Sequence, residues 1–576
     1  MRIIPAASPA ISSLRDPARV MSFGQRLGLL LIATLGVSLP RESTAQVQPP
    51  SGGQLLQQLT LPPPPPPADK PALSIEKPDT ARANSSMSIA VKQIRITGNK
   101  SLPTPQLHAL VSSAEGTTQT LGDLQGLADR ITEFYRLHGY PLARAYVPAQ
   151  TIEAGEVTLA VLEAKYGQVV LNNASTTSDR PLAGTLAPLE SGKLVTQDTL
   201  DRALLLLSDI PGVIVDSTLR PGATTGTSDL QVDVASAARY SGLASLDDFG
   251  NRYTGRTRVS TIFNVNSLLH QGDKLDLDLL TSGSGMSYGQ VGYHYLLNGQ
   301  GTTLGVATSY LHYELSGALA DLQAHGTAAV DTLSISHPFV RSTVGNLYVQ
   351  LQFDHKQLHD DIDLASVRSN RHTNGLTAVL AGDRRDDLGI TNFNFSATVD
   401  HVTFDDFAAR ISDQLGAETA GSNAHYQLTL ARLQQLDRSN ALYFALTGQI
   451  ANNNLDPADQ FYLGGPSNAR GFDTGALTGS QGYLLTAEWR HALPLPSSGA
   501  WLGSIFVDHG RIQVYEHAFA PGENVGSLSD MGVALHWDGS HEWAVSAQVA
   551  TRFGPSSPLL TTDPGARGWI QVQKGF

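Results

Sequence analysis

Two charged residues near the C-terminal end have the chemistry of a buried ion pair. Arg470 lies in a glycine-rich segment at residues 463–482, and Asp508 lies in the apolar sequence FVDHG at residues 506–510. A long loop that folds back into a protein interior needs a carboxylate for its cation and glycines for its tight bends. We therefore take Arg470 and Asp508 as candidate partners. The glycines that would permit the bends are Gly464, Gly465, Gly471 and Gly475.

The sequence offers little for catalysis or metal binding. Residues 285–289, GMSYG, match the G-x-S-x-G pattern of a serine nucleophile, but that elbow must join a strand to a helix. The motif lies among alternating segments with no helix after it, which favours a hairpin turn over a nucleophilic Ser287. His294 and His312 stand alone, without metal-ligand spacing, and no P-loop sequence is present. We predict no enzyme activity, no metal and no cofactor.

Composition narrows the class of protein. The chain has 576 residues, with 39 lysines and arginines against 52 aspartates and glutamates, and no cysteine. The acidic balance and the lack of a basic run argue against nucleic acid as a partner. The absence of cysteine excludes disulfide and thiol chemistry and fits a protein of the oxidising periplasm. The 54 glycines, with abundant Ser, Thr, Asn and Gln, favour strands and turns.

The N-terminus has the pattern of an export signal. Arg26 precedes an apolar run at residues 27–39, and the sequence STA at residues 43–45 offers a small-residue cleavage site. We predict a signal peptide over residues 1–45, with Met21 as an alternative start. The run of 13 residues is too short to span a membrane as a helix, and no other segment approaches 18 apolar residues.

Residues 46–88 are predicted as a short helix followed by a linker. The four leucines at residues 55–61 would line one side of a helix, and the six prolines at 62–67 would form a stiff, extended spacer. Residues 68–88 are polar and irregular, and they are predicted as linker. A disordered periplasmic tail is the alternative for the whole segment.

Two α+β modules follow, predicted at residues 89–164 and 165–236. The first contains an amphipathic helix at 120–138, in which apolar residues recur at three- and four-residue spacing. The second contains a helix at 199–209. The predicted strands of the two modules cover residues 143–147, 156–162, 212–219 and 229–234.

From residue 241 to Phe576 the pattern changes to a two-residue alternation. Residues 274–279, KLDLDL, put leucines on one face and charged residues on the other, and several later segments do the same. A soluble antiparallel sandwich also alternates. Many such strands behind an export signal favour an outer-membrane β-barrel of about 16 strands. A strand phase that places Val507 toward lipid turns Asp508 inward.

Five stretches, in order along the chain, match motifs of one family. They are residues 138–169 (HGYPLARAYVPAQTIEAGEVTLAVLEAKYGQV), 207–234 (LSDIPGVIVDSTLRPGATTGTSDLQVDV), 247–260 (DDFGNRYTGRTRVS), 463–472 (LGGPSNARGF) and 506–510 (FVDHG). Together they resemble the first and second POTRA domains, the first barrel strand and the two barrel signatures of the TpsB family, the outer-membrane transporters of two-partner secretion. The last two motifs are shared with a wider insertase superfamily. The sequence departs from the family at Ala469, where valine is more common.

The resemblance implies a mainly β fold: a transmembrane antiparallel barrel of about 16 strands at residues 241–576, preceded by two periplasmic α+β POTRA domains. Its sixth extracellular loop, at about 463–482, would fold into the lumen. The residues assigned to the loop tip and to the facing wall motif are Arg470, Gly471 and Phe472, and Phe506, Asp508 and Gly510. The resemblance also implies an N-terminal helix that plugs the barrel, for which residues 54–61 are the candidate. Whether the ion pair gates transport or only stabilises the barrel stays open.

The function implied by the resemblance is secretion of a large partner exoprotein across the bacterial outer membrane. The POTRA domains would bind this TpsA-like client, of haemolysin, adhesin or filamentous type, and the barrel would be its conduit. Outer-membrane lipid and the barrel-assembly machinery are the other expected partners. The alternatives are an assembly factor of the same superfamily and a passive porin, although a passive pore has no use for client-binding modules.

Overall fold

The computed structural model describes residues 49–59, 72–75, 88–495, 498–562 and 565–576. The predicted signal peptide, its alternative start at Met21 and the proline run at 62–67 lie outside these residues. No described helix is both long and apolar enough to cross a membrane.

Ahead of the barrel, the chain forms a short helix, an extended segment and two α+β modules. Helix α1 covers Gly52–Gln57, and strand β1 covers Ala72–Ile75. The first module consists of β2 (Ser88–Val91), β3 (Gln93–Thr97), α2 (Thr104–Ala109), β4 (Thr117–Thr120), α3 (Leu121–Leu137), β5 (Arg144–Tyr146) and β6 (Glu156–Leu162). The second module consists of β7 (Lys165–Asn173), α4 (Asp179–Leu186), α5 (Gln197–Ser208), β8 (Val213–Pro221) and β9 (Thr227–Ser236).

The first module packs its long helix against a three-stranded sheet with the strand order β3-β6-β5. Helix α3 starts at a capping box, in which the Thr120 hydroxyl accepts a hydrogen bond from the Asp123 N–H and the Asp123 carboxylate accepts one from the Thr120 N–H. Its apolar stripe, which includes the fully buried Ile131, packs on Leu159 of β6. The helix predicted at 120–138 is therefore present and lies one residue inside those limits at each end.

The second module has a four-stranded sheet with the order β1-β8-β9-β7, in which β1 comes from outside the module. Leucines of α5, among them Leu200 and Leu204, pack with Val215 and Leu230 of the sheet. The prediction of irregular linker across 68–88 missed β1. β1 is the four-residue sequence ALSI within a polar segment, too short to show strand alternation, and its extended form depends on the partner strand β8.

The C-terminal part is a closed antiparallel barrel. In chain order its elements and those of its loops are β10 (Tyr240–Asp247), β11 (Arg258–Asn266), β12 (Lys274–Thr281), β13 (Met286–Leu296), β14 (Thr303–Glu314), β15 (Ala324–Arg341), β16 (Gly345–Ile362), β17 (Val367–Asp386), β18 (Gly389–Phe404), α6 (Phe407–Gln414), β19 (Gly421–Gln435), β20 (Asn440–Ala451), β21 (Phe461–Leu463), β22 (Leu477–Gly479), β23 (Gln481–Leu493), β24 (Ala500–Gln513), β25 (Val525–Asp538), β26 (Trp543–Arg552) and β27 (Ala566–Gly575).

Sixteen of these strands form the barrel, which closes where β27 pairs with β10. The small hairpin of β21 and β22 lies outside that ladder. Side chains alternate as predicted: Val507 is exposed on the outer face, whereas its neighbours Phe506 and Asp508 are buried in the interior. The predicted fold class, a mainly β protein with a barrel of about 16 strands, is confirmed.

The second module lies against the end of the barrel from which β10 emerges, here called the near end. The guanidinium of Arg341, at the end of β15, donates to both carboxylate oxygens of Asp209 at 2.7 Å. Arg202 of α5 donates to the carbonyl of Pro338 at 2.8 Å. The opposite rim, called the far end, carries the connection between β20 and β23.

Candidate functional site

The connection between β20 and β23, residues 452–480 and here called the long loop, lies inside the barrel. Its hairpin of β21 and β22 packs through Phe461, Leu463 and Leu477 against buried wall residues, including Ile512 and Leu528. A loop in water would not bury this much apolar surface. The hydrophobic contacts therefore hold the loop within the lumen before any charge is considered.

Glycines occur where the long loop turns or touches another segment. Gly464 has φ +99°, and a Cβ there would lie 2.2 Å from the carbonyl oxygen of Asp473. Gly471 lets the backbone approach the wall, because a Cβ would lie 2.6 Å from that of Asp530. Gly510, on the wall itself, leaves room for Leu463. Side chains at these positions would push the loop away from its seat.

The predicted partners Arg470 and Asp508 are in direct contact. Arg470 Nε lies 2.8 Å from Asp508 Oδ2, and Arg470 Nη2 lies 3.0 Å from Asp508 Oδ1, which makes a bidentate pair. The guanidinium also lies over the ring of Phe506, 3.2 Å from its centroid. Asp508 is 1% exposed and accepts a further hydrogen bond, of 2.8 Å, from the hydroxyl of Thr486. The site therefore combines a cation, an aromatic face and an oriented carboxylate.

Two acidic residues of this site were not predicted. Glu488 of β23 accepts from Arg470 Nη1 at 3.0 Å, and Asp530 of β25 lies directly opposite Asp508 in the strand register. Both point inward. The alternation of TAEWR in β23 would have placed Glu488 inside if that strand had been phased. Trp569 fixes the loop backbone by donating its indole N–H to the carbonyl of Arg470 at 2.7 Å.

The remaining residues predicted for the tip and the loop contribute to packing and to the backbone turns of the long loop. Phe472 is buried in the apolar cluster of the long loop. Ala469 is fully buried with φ +54°, a backbone region that disfavours β-branched side chains. Gly465 and Gly475 also have positive φ, and a Cβ on Gly475 would meet the side chain of Gln58.

A second charged cluster joins the long loop to the opposite wall. Arg371 of β17 contacts Asp456 of the loop at 2.5 Å and Asp360 of β16 at 2.7 Å. Lys356 of β16 contacts Asp459 of the loop at 2.5 Å. No motif marks these residues, and they lie far apart in the sequence. Only closure of the barrel and return of the loop bring them together.

Helix α1 also lies inside the barrel, between the long loop and strands β14 to β16. The N–H of Gly52 donates to Asp360 Oδ1 at 2.8 Å, and Tyr313 donates to the same oxygen at 2.6 Å. Leu55 is buried in a cluster that includes Ala458 of the loop. The helix is shorter than the predicted segment at 54–61 and begins two residues earlier.

The residues considered for catalysis do not form a site. Ser287 lies within strand β13, opposite His312 in the register with β14, and no helix follows it. Among the described residues, His294 contacts one acidic side chain, Asp276, at 3.2 Å. Across the described ranges, no three His, Asp or Glu residues are grouped so that they could hold a metal ion.

Comparison with known proteins places this geometry in a family. Residues 226–531 match the model for the haemolysin secretion/activation protein ShlB/FhaC/HecB, and residues 89–164 match that for the POTRA domain of ShlB type. The heme/hemopexin transporter protein HuxB of Haemophilus influenzae (strain 86-028NP) is 28% identical over 94% of this chain and 98% of its own length.

Solved structures agree on the fold. CdiB from Escherichia coli superposes with a TM-score of 0.67 at 19% identity, covering 87% of this chain and 93% of that one. BamA from Haemophilus ducreyi, lacking its POTRA domains 1–3, gives a TM-score of 0.51 at 13% identity, covering 84% and 100%. Both likenesses concern the fold alone.

Proposed function

The chain belongs to the ShlB/FhaC/HecB family of haemolysin secretion/activation proteins, and from this premise we propose that it secretes one large exoprotein of its own. It is a two-partner secretion transporter of the outer membrane, and its POTRA region lies in the periplasm. The near end of the barrel is therefore periplasmic and the far end extracellular. The predicted family and location are confirmed.

The proposal rests above all on how the barrel is filled. Helix α1 and the long loop both lie within the lumen, where ion pairs and apolar contacts hold them against the wall, and neither belongs to the barrel ladder. A conduit for an unfolded chain must be able to release the segments that occupy its lumen without unfolding the barrel wall. Helix α1 and the long loop, here called the lumen segments, are separate from the continuous barrel ladder and could leave in this way. A passive porin, in contrast, would keep its channel open.

We assign the client-binding step to the two modules, at 89–164 and 165–236. Their sheets end in edge strands whose backbone groups can pair with an extended segment of an unfolded client. The client would then pass through the barrel and fold outside the cell. No nucleotide-binding loop occurs in the sequence. By resemblance to the family, we propose that folding of the client outside the cell supplies the driving force.

The client is proposed to be an exoprotein of haemolysin, adhesin or filamentous type. The relative named above is called a heme/hemopexin transporter protein, a name that applies to that protein and not to this chain. The gene adjacent to the one for this chain is the first place to look for a large, repeat-rich secreted protein. Outer-membrane lipid and the barrel-assembly machinery are the other proposed partners.

We propose no catalytic role. Ser287 on a strand has neither the strand-to-helix turn nor a carboxylate-oriented histidine that would activate it. A fluorophosphonate probe should therefore leave Ser287 unlabelled, and labelling would contradict this part of the proposal.

Deletion of the chain tests the function against its main alternative. We expect one exoprotein to disappear from the medium while the other outer-membrane proteins keep their levels, and re-expression of the chain should restore that exoprotein. A general loss of outer-membrane proteins would instead identify an assembly factor, a role that the likeness to the fold of BamA keeps as the competing explanation.

A further inference from the structure

A groove of about 500 Å³, here called the outer groove, crosses the outer wall of the barrel near its far end. It extends over the neighbouring strands β18, β19, β20, β23 and β24. Gly448 of β20 faces outward, because its neighbour Gln449 is buried on the inner side. A Cβ on Gly448 would meet no other segment closer than 3.6 Å, so this glycine leaves the groove open. The apolar and aromatic side chains of the lining are Phe395, Tyr426, Leu428, Leu446, Ile450 and Tyr483.

One cation, Arg511 of β24, lies at the far side of the outer groove. Its neighbour Ile512 is fully buried on the inner side, so the Arg511 side chain points outward, where it is exposed. Among the described residues, none forms an ion pair or a hydrogen bond with the Arg511 guanidinium. Glu516, in the loop after β24, accepts hydrogen bonds from the side-chain amides of Gln481 and Gln513 instead. The guanidinium therefore keeps its N–H donors free for an anion.

The height of Arg511 on the wall matches the extracellular boundary of the membrane. Trp501 lies ten residues earlier on the same face of β24, beside Trp537 at 6.1 Å between ring centroids, and the two belong to the aromatic girdle of the near end. Ten residues of strand extend ~33 Å, which is ~25 Å along the membrane normal at a tilt of ~40°. This is the height of the apolar band of such a barrel, and the exposed Ile505 and Val507 lie within it. Arg511 thus reaches the headgroups of the outer leaflet.

The outer groove continues toward the middle of the membrane. A second groove on the wall, of about 360 Å³, shares Leu446 with it and extends past Ala487 and Val507. A ligand with an anionic group and an apolar chain can therefore place the first at Arg511 and the second along the wall. The combination of one free cation with a long apolar channel fits a lipid better than a soluble anion, which has no use for the channel.

We propose that Arg511 and the outer groove bind lipid A, the phosphorylated glycolipid of the outer leaflet. A phosphate of lipid A accepts paired N–H bonds from the Arg511 guanidinium, and one acyl chain lies over Gly448 and Leu446. The inference rests on the proposed function, which names outer-membrane lipid as a partner, and it adds which lipid is bound and where. Phospholipids of the inner leaflet face the near end and do not reach Arg511.

The first test removes the cation. The purified full chain, in detergent micelles, is titrated with fluorescently labelled lipid A. We expect Arg511→Gln to weaken binding at least about tenfold, because a hydrogen-bonded charge pair is lost. Arg511→Lys keeps the charge without the paired geometry and should give an intermediate affinity. The matched control is Arg384→Gln, which changes an exposed arginine at the near end of β17, and it should bind like the unmodified chain.

The second test fills the groove and leaves the charge in place. Gly448→Leu puts a side chain where the acyl chain would lie, and we expect it to weaken lipid A binding several-fold. Gly289→Leu is the matched control: this glycine belongs to β13, away from the outer groove, and a Cβ there would lie 3.4 Å from the side chain of Leu279. Neither glycine has a positive φ, so both strands can accept the new side chain.

Unlabelled competitors distinguish lipid A from other sources of phosphate. Phosphatidylglycerol and inorganic phosphate should need at least about tenfold higher concentrations than lipid A, because the first carries a less charged phosphodiester and the second has no acyl chain. Equal competition by either compound would overturn the inference, and so would equal lipid A binding by Arg511→Gln and the unmodified chain. Heat-modifiable mobility shows that each variant is folded, and Gly448→Leu decides the matter if Arg511→Gln is not. These measurements need no exoprotein, so a failure to secrete one counts against the proposed function alone.

Discussion

At the scale of single residues, the centre of the site is one guanidinium among several acids. Arg470 contacts Asp508 and Glu488, and Asp530 lies beside them. Removal of one partner from a buried ionic group costs about 3–5 kcal/mol, because the remaining charges stay buried without compensation. The loop tip should thus depend on this side chain far more than on any single apolar contact.

Arg470→Ala tests this dependence. The barrel ladder does not involve the side chain, so we expect a folded, heat-modifiable barrel whose secretion of the exoprotein is strongly reduced. Arg470→Lys keeps the charge but loses the bidentate geometry, and it should retain an intermediate level. Secreted exoprotein is measured against the amount of barrel in the outer membrane. Normal secretion by Arg470→Ala would leave the pair with a purely stabilising role.

The alternation of side chains along a strand, together with charge, explains how much of this site could be predicted. A cation among glycines, and a carboxylate in a strand whose other face is apolar, led to Arg470 and Asp508 without a structure. The same reasoning applied to β23 would have added Glu488. Arg371 and Asp456 are different, because neither lies in a motif and nothing in the sequence reports their proximity. They meet only after the loop has entered a closed barrel.

At the scale of elements, α1 and the long loop share an anchor. Arg371 joins Asp360, which accepts the hydrogen bond from the first turn of α1, to Asp456 of the loop. Arg371 is 3% exposed, so water cannot replace its contacts at low cost. Loss of Arg371 should therefore loosen α1 and the long loop together. The contact of Arg470 lies at the tip of the long loop, so its loss should affect mainly that loop.

We therefore expect Arg371→Ala to raise the ion conductance of the purified protein in planar bilayers by several-fold, because about 3–5 kcal/mol of anchoring is lost. Arg368→Ala is the matched control, because the Arg368 side chain is exposed and its contact with Asp361 is long, at 4.0 Å. A conductance equal to that of the unmodified chain would show that Arg371 does not hold α1 and the long loop in place.

Another element-scale prediction concerns acid and the first module. Burial would raise the pKa of Glu163, but the N–H groups of Ser101 and Lys100 and the Tyr135 hydroxyl donate to its carboxylate and hold the pKa below its ordinary value. A lowered folded-state pKa contributes stability above the ordinary carboxyl pKa, and this contribution disappears as the pH falls through the lowered value.

Hydrogen exchange on the full chain can measure this effect in α3 and β6. At neutral pH, Glu163→Gln should reduce their protection by about 1–3 kcal/mol, since the donors of Ser101, Lys100 and Tyr135 lose a charged acceptor. The difference from the unmodified chain should shrink as the pH falls from the ordinary carboxyl pKa through the lowered folded-state value. A gap that stays constant down to that pH would mean that the carboxylate charge is not the cause.

At the scale of the whole molecule, the architecture was predicted from the periodicity of apolar residues. The features that were missed depend on contacts between segments far apart in the sequence. Two-residue alternation over many strands, behind an export signal, predicted a barrel of about 16 strands, because each strand of such a barrel presents one face to lipid. The strand at Ala72–Ile75 was missed because its four residues, ALSI, are too few to show an alternating pattern within a polar segment, and its partner β8 lies far along the sequence. The contact between the modules and the barrel was likewise not predictable, since it depends on side chains from two separately folded parts.

That contact supports the last prediction. Arg341 at the near end of β15 is 5% exposed and holds Asp209, which ends α5, through two hydrogen bonds of 2.7 Å. Bonds to charged groups contribute about 1.5–3 kcal/mol each. Either Arg341→Asp or Asp209→Arg alone should leave the barrel in the membrane but reduce secretion, because the modules no longer face the lumen in one orientation. The two changes together restore opposite charges and should recover part of the secretion.

The orientation of the modules can be measured with spin labels on the second module and on the barrel, introduced into a chain without native cysteines. The distribution of distances between the labels should broaden in each single variant and narrow again in the double variant. Equal secretion in all four proteins would mean that transport tolerates free movement of the modules.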